Sequence, residues 1–242
     1  DTTEGQLLDA LDEALSARIV EEMPEEIGLY QFTHAQMQET LTGELSANRT
    51  VRMHARIAEA LEAHYGDEAQ KHAEELVPHF VEAETVIGTD GLIRYSRVAG
   101  HRALLAFGYE ATIEHLSRVL GLLNGSTVDA EQAHDWVTLS RAQLATLASR
   151  EWHQAISSLD KGVSYFVKEK MVDEAYSAVQ VDLRNQIGRD TGMSDVAESV
   201  LSLLPKGTIQ YANVQAIYAQ AIARERGRVD EALELLDESI SF

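Results

Sequence analysis

The most regular feature of this chain is a stripe of apolar side chains that recurs along it. Its clearest copy lies in Gly108–Leu123, where a small residue and an aromatic open the segment. The apolar positions follow at steps of 4, 3 and 4, and they are Tyr109, Ile113, Leu116 and Leu120. Positions with this spacing share one face at 3.6 residues per turn, so the stripe predicts an amphipathic helix.

The same spacing returns three more times, starting at Trp152, Met193 and Val229. From Tyr109 onwards, the four starts lie 43, 41 and 36 residues apart. A helix that recurs at such a period is typical of stacked helical hairpins, in which each unit buries its apolar face against its neighbours. The sequence therefore predicts helical repeats over residues 89–242.

The N-terminal part follows a different pattern. Residues 6–18 carry a helical stripe, whereas the period between Ile19 and His34 shifts to two around a loop rich in proline, glycine and glutamate. A helix followed by a β-hairpin is the second half of a winged helix, so residues 1–48 predict a partial winged-helix unit. Helical stripes over residues 35–45, 49–65 and 67–84 follow, and residues 49–88 are predicted to connect the two parts.

The net charge of the chain limits the kinds of molecule that it can bind. Forty acidic and twenty basic residues give a formal net charge of −20, which opposes binding to a polyanion. Residues 1–48 hold eleven acidic residues and one basic residue, Arg18, whereas a DNA contact needs several cations. We therefore expect no direct nucleic-acid binding by the winged-helix unit.

The composition also limits location and covalent chemistry. No apolar run approaches the roughly 18–20 residues that span a bilayer, and no N-terminal signal is recognisable, so we expect no membrane contact. The absence of cysteine excludes disulfides and thiol catalysis and suits a cytoplasmic protein. Because Asp1 stands where an initiator methionine is expected, the chain is expected to be part of a longer protein.

Catalytic motifs are missing from the sequence. It contains no Gly-Lys dipeptide and hence no phosphate loop, and no GxSxG elbow surrounds any serine. His72, Glu75 and His79 share the spacing of one helix face, but this supplies only part of a zinc ligand set. We expect no enzyme activity, no cofactor and no metal in this chain itself.

The first helix of each predicted hairpin would line the concave side of the array. These helices carry aromatic and hydrogen-bonding side chains of the kind that hold peptides or small effectors. The groove candidates are Trp136, Gln143, Tyr176, Gln180, Arg184, Tyr211, Gln215 and Tyr218. Arg184 is the sharpest of them, because a guanidinium can pair with a carboxylate.

The repeats resemble the tetratricopeptide family, in which the second helix opens with a small residue and an aromatic before Glu-Ala and a leucine stripe. Tyr109-Glu110-Ala111 and Val229–Leu233 carry this resemblance best. The resemblance implies a mainly α fold: a partial winged helix with a two-stranded β-hairpin, then a tetratricopeptide-like right-handed superhelix.

The segments LLDALDEALSARIVEE, YQFTHAQMQETL and RMHARIAEALEAHY, in this order, resemble bacterial signal-transduction ATPases with numerous domains. These include large LuxR-type transcription activators and class III adenylate cyclases linked to an ATPase. The resemblance implies an ATPase domain N-terminal to Asp1, ATP or ADP bound in that parent protein, and a phosphate-sensing histidine at the position of His34. Thr33 and Gln38 stand where arginines are common in that family.

This resemblance implies a sensor and coupling arm of a cytosolic signalling ATPase. Its partners would be its own nucleotide-binding domain and a protein, peptide or small-molecule effector in the superhelix. A different class also fits the repeats, namely a stand-alone tetratricopeptide-type scaffold that binds peptides.

Overall fold

A computed structural model describes residues 4–24, 28–146, 152–181 and 191–240, and it is mainly helical with one small sheet. The N-terminal part begins with helix α1 (Glu4–Ser16), followed by the antiparallel strands β1 (Val20–Glu22) and β2 (Tyr30–Phe32) and helix α2 (Ala35–Gly43). Val20 pairs with Phe32 across the hairpin. The predicted helix and the two predicted strands are therefore present.

Helices make up nearly all the rest of the described chain. They are α3 (Ala47–Tyr65), α4 (Ala73–Ile87), α5 (Asp90–Leu105), α6 (Tyr109–Leu122), α7 (Ala130–Thr146), α8 (Trp152–Lys168), α9 (Val172–Ala178), α10 (Met193–Leu201), α11 (Ile209–Glu225) and α12 (Val229–Ile240). Sequential helices pack as hairpins: α3 on α4, α5 on α6, α7 on α8 and α11 on α12.

The single helix predicted over residues 67–84 is wrong in its first part. Residues Gly66–His72 form a 3-10 helix, and α4 begins only at Ala73. Gly66 interrupts the helical path with a φ of +49°, and Arg102 of α5 donates hydrogen bonds to the carbonyls of Gln70 and Lys71 at 2.8 and 2.9 Å. A contact with a residue about thirty positions later thus shapes this turn.

Three of the four copies of the repeat stripe contribute fully buried side chains, although Tyr109, Ile113 and Trp152 are half-buried. Leu116, Leu159 and Val200 are completely inaccessible, and the largest core cluster joins α7, α8, α9, α10 and α11. In α12, by contrast, Leu233 and Ile240 are 56% and 79% exposed. Helix α12 packs on α11, and no element of the described chain covers its other face.

Helices α7 and α8 approach each other closely, backbone to backbone, at Gly162. A Cβ atom added at Gly162 of α8 would lie 2.6 Å from the carbonyl oxygen of Ala133 and 2.7 Å from Cγ2 of Val137. These distances are shorter than van der Waals contact, so this crossing requires a residue without a side chain.

We expect Gly162→Ala to lower the free energy of unfolding by roughly 1–3 kcal/mol, because the added methyl group must push α7 and α8 apart. Gly121→Ala in α6 is the matched control, since a Cβ there meets nothing within 4 Å. This second change should raise stability by about 0.5–1 kcal/mol, the ordinary helix preference for alanine. Urea denaturation followed by circular dichroism measures both, and equal effects would contradict the packing argument.

Candidate ligand pocket and N-terminal apolar face

An open pocket of about 370 Å³ lies along α7, between α6 and α8. This volume falls within the range of small-molecule sites. Its lining mixes apolar and hydrogen-bonding side chains, and none of the described lining residues is a carboxylate. The lining residues are Ser117, Leu120, Gly121, Asn124, Trp136, Leu139, Gln143, Gln154, Ser157, Ser158 and Lys161.

Lys161 of α8 covers the indole ring of Trp136 in this pocket. The ammonium nitrogen lies 4.0 Å from the ring centroid, in the geometry of a cation–π contact. Trp136 itself packs against the small apolar cluster of Leu116, Leu120 and Leu139. Within the described ranges, no carboxylate lies within ion-pair distance of Lys161.

Gln143 lies in the same pocket, one and two turns beyond Leu139 and Trp136 on α7. Its side chain is only 6% exposed, and its buried amide oxygen has no hydrogen-bond partner. A buried amide oxygen without a partner carries a free-energy cost, so the structure holds a polar group that a ligand or water can satisfy.

The adjacent face of α7 carries a buried ion pair. Asp135 is completely buried and accepts a hydrogen bond from Nε of Arg97 at 2.7 Å, while its other oxygen lies 2.8 Å from Nε2 of His101. Arg97 also binds Glu131 at 2.5 Å. These contacts join α5 to α7, the first helices of two successive hairpins. We call the contacts of Asp135 and Glu131 with Arg97 and His101 the α5–α7 tie.

The other predicted groove residues do not line the pocket. Tyr176 of α9 accepts a hydrogen bond from the amide of Asn213 at 2.9 Å, and Gln180 is exposed. Gln215 of α11 is buried and donates to Glu238 of α12 at 2.9 Å. Tyr211 and Tyr218 are half-buried against the core clusters, and Arg184 lies outside the described residues. Of the predicted groove residues that the structure describes, Trp136 and Gln143 alone lie together in the pocket.

Sequence reasoning missed Lys161 and Ser157, because it looked for groove residues on first helices only. Both residues lie on α8, a second helix, and face α6 across α7. No local pattern distinguishes them from other polar residues of an amphipathic helix. Their position depends on how α6, α7 and α8 cross, which the sequence does not encode locally.

His34 lies at the junction of the hairpin and α2. Its backbone carbonyl accepts hydrogen bonds from the N–H groups of Met37 and Gln38 and so starts the helix, while its exposed side chain makes no capping bond. The neighbouring Thr33 hydroxyl donates to the carbonyl of Arg18 at 2.7 Å, which fastens β2 to the end of α1. The imidazole is therefore free to contact another molecule.

The N-terminal unit exposes several large apolar side chains. No residue described before Ala55 is buried. A small hollow of about 340 Å³ with almost entirely apolar walls lies between Ile19 and the Met37 and Leu41 side chains of α2. The large exposed apolar residues of this unit are Leu7, Leu8, Leu29, Phe32, Met37 and Leu41. We call this surface the N-terminal apolar face.

Comparisons with known proteins find no relative: no family model, no curated protein and no solved structure matches the chain. Among the described helices, none combines the length and apolar character needed to cross a membrane. The same residues include no group of three metal-ligating side chains arranged for an ion. His79 of the suggested zinc set instead approaches His54 of α3, with 3.1 Å between their Nδ1 atoms.

This histidine pair is sensitive to protonation. Two Nδ1 atoms at this distance share one proton, so the hydrogen bond requires at least one neutral ring. Burial lowers the pKa of His79, the positive form of His54 lowers it further, and Glu75 opposes the shift. Burial and Arg118 likewise lower the pKa of His115, which lines an adjacent cavity with His54.

Acid should therefore destabilise the fold through these histidines. A lowered folded-state pKa means that stability is complete above the ordinary value of about 6.5 and declines as the pH falls below it, because the unfolded chain takes up the proton first. We expect His79→Gln to reduce the loss of melting temperature between pH 7.5 and 5.0. His153→Gln, at an exposed position of α8, should leave that loss unchanged. Identical pH profiles for both variants would refute this assignment.

Proposed function

We propose that this chain is the sensor and coupling arm of a cytoplasmic signalling ATPase, of the kind that regulates transcription. Its helical hairpins would form a tetratricopeptide-like superhelix that binds an effector or partner. The observation that carries the proposal is the N-terminal apolar face, an uncovered surface on a helix–hairpin–helix unit directly before a stack of hairpins. The resemblance of FTHA and its flanking segments to signalling ATPases supports the same assignment.

The apolar face has the properties of a surface that is covered in the working protein. Six large apolar side chains are exposed within one small unit, whereas monomeric proteins rarely leave a large contiguous apolar patch in water. The partner that we propose is the protein's own nucleotide-binding domain. His34 lies between Phe32 and Met37 of this face, so a domain packed there would place its bound phosphates within reach of the imidazole.

Coupling would then follow from two alternative packings. In the resting state the N-terminal unit covers the nucleotide-binding domain with ADP bound, and in the active state it separates from it. An effector can shift these populations only by binding the two arrangements of the array with different affinities. The hairpin stack joined through the α5–α7 tie provides a continuous path between an effector and α3, which follows the N-terminal unit directly.

The first expected result concerns the parent gene. We expect the coding sequence upstream of Asp1 to contain a GxxxxGK[ST] phosphate loop, because this chain has no Gly-Lys dipeptide of its own. Sequencing the complete reading frame checks this directly. A frame without a phosphate loop would contradict the ATPase assignment and favour a stand-alone peptide-binding scaffold.

The second expected result concerns the apolar face in the longer protein. Leu41→Ser should loosen the resting state and lower the amount of copurified ADP about tenfold, since burying one such side chain contributes roughly 1.5–3 kcal/mol. His34→Ala should lower ADP retention as well, through the lost phosphate contact. Val86→Ser is the control, because Val86 is similarly exposed but lies on α4. Chromatographic quantification of bound nucleotide measures all three, and unchanged ADP in Leu41→Ser would exclude this face as the docking surface.

A further inference from the structure

The pocket between α6 and α8 has a lining that differs from the rest of this acidic protein. The chain carries forty acidic residues against twenty basic ones, yet among the described residues that line the pocket Lys161 alone is charged. The other polar lining groups are the amides of Asn124, Gln143 and Gln154 and three serine hydroxyls. The Ser158 hydroxyl already donates to the carbonyl of Gln154, and the remaining groups can donate hydrogen bonds to a ligand. Such a set of donors, with no carboxylate among them, complements an anion.

Lys161 supplies a positive charge that no described carboxylate neutralises. Its ammonium group lies over the Trp136 ring in the pocket lining, and it still has hydrogen atoms to donate. A ligand carboxylate beside this group would gain a charge-assisted hydrogen bond. The indole and the side chains of Leu120 and Leu139 provide apolar contact next to that charge.

Gln143 supplies the second anchor. Its side chain is more than nine-tenths buried, and its amide oxygen makes no hydrogen bond. Because the amide oxygen has no partner to lose, the side-chain amide can reorient and present either a donor or an acceptor to a bound molecule. A ligand that satisfies this amide would gain a hydrogen bond without breaking one inside the protein.

We propose that this pocket binds a small free carboxylate with a short apolar body, held by Lys161 at its charge and by Gln143 at an adjacent polar group. This inference rests on the proposed function in one respect, because such a molecule would be the effector of the sensor arm. The same chemistry is present at the C-terminal residue of a peptide. The volume of about 370 Å³, in the range of small-molecule sites, favours the free molecule.

Fluorescence of Trp136 provides the direct test. The chain has two tryptophans, so a Trp152→Phe background leaves Trp136 as the only indole reporter. The probe is N-acetyl-L-leucine, which has a carboxylate, an adjacent amide and a branched apolar body. We expect saturable quenching by the acid and at least about tenfold weaker binding of N-acetyl-L-leucine amide, which lacks the charge. Equal affinity for acid and amide, or no saturation by the acid, would overturn the proposal.

Variants test each anchor separately. Lys161→Gln should weaken binding of the acid at least about tenfold, whereas Lys206→Gln, which removes the same charge at an exposed position between α10 and α11, should not. Gln143→Leu should weaken binding without lowering the melting temperature, because it replaces an unsatisfied amide by an apolar group of similar size. Unchanged affinity in both pocket variants would place the probe elsewhere and refute the assignment.

A third experiment distinguishes a free small carboxylate from the C-terminal carboxylate of a peptide. The peptide acetyl-Ala-Ala-Ala-Leu presents the same terminal residue at the end of a chain. We expect it to bind no more tightly than N-acetyl-L-leucine, and at least tenfold tighter binding would replace the free molecule by a peptide terminus. These measurements use the present chain alone. If N-acetyl-L-leucine binds this pocket but does not change ADP retention in the longer protein, the proposed sensor function is contradicted. The assignment of the pocket as a carboxylate site would still stand.

Discussion

The packing of α8 on α7 at Gly162 is the constraint on which the central part of the structure depends. The missing side chain lets the backbone of α8 approach the carbonyl of Ala133, so apolar residues of both helices interlock below it. The resulting cluster extends through α9 and α10 to α11. The same approach fixes where α8 stands relative to α6, and it therefore also determines the width of the ligand pocket.

Much of the fold could be predicted because its signals are local. The stripe beginning at Tyr109, the helix start after Gly108 and the alternation around Tyr30 and Phe32 all depend on neighbouring residues, and each of these elements is present. The 3-10 helix at Gly66–His72 could not be predicted, because Arg102 shapes it from another helix. The exposure of the apolar stripe on α12 could not be predicted either. An amphipathic pattern shows which face can be buried, but burial also requires a neighbouring helix to cover that face.

The candidate site was predictable only in part, for a related reason. Residue type alone selects Trp136 and Gln143 as binding groups, and both lie in one pocket. Their partner Lys161 belongs to a helix whose exposed face resembles any solvated face in sequence. Tyr176 and Gln215 instead join neighbouring helices by hydrogen bonds, a structural role that the same residue types serve equally well. The sequence shows which residues have side chains suited to binding, but only the fold shows which of those side chains lie close together.

The α5–α7 tie has a mechanical consequence for the array. Buried Asp135 of α7 contacts both Arg97 and His101 of α5, and so joins the first helices of two successive hairpins. The second helices α6 and α8 have no equivalent ion pair in the described chain. The candidate pocket therefore lies between the two helices of these hairpins that charges do not join, and a ligand there would supply a contact between them that the described residues do not make.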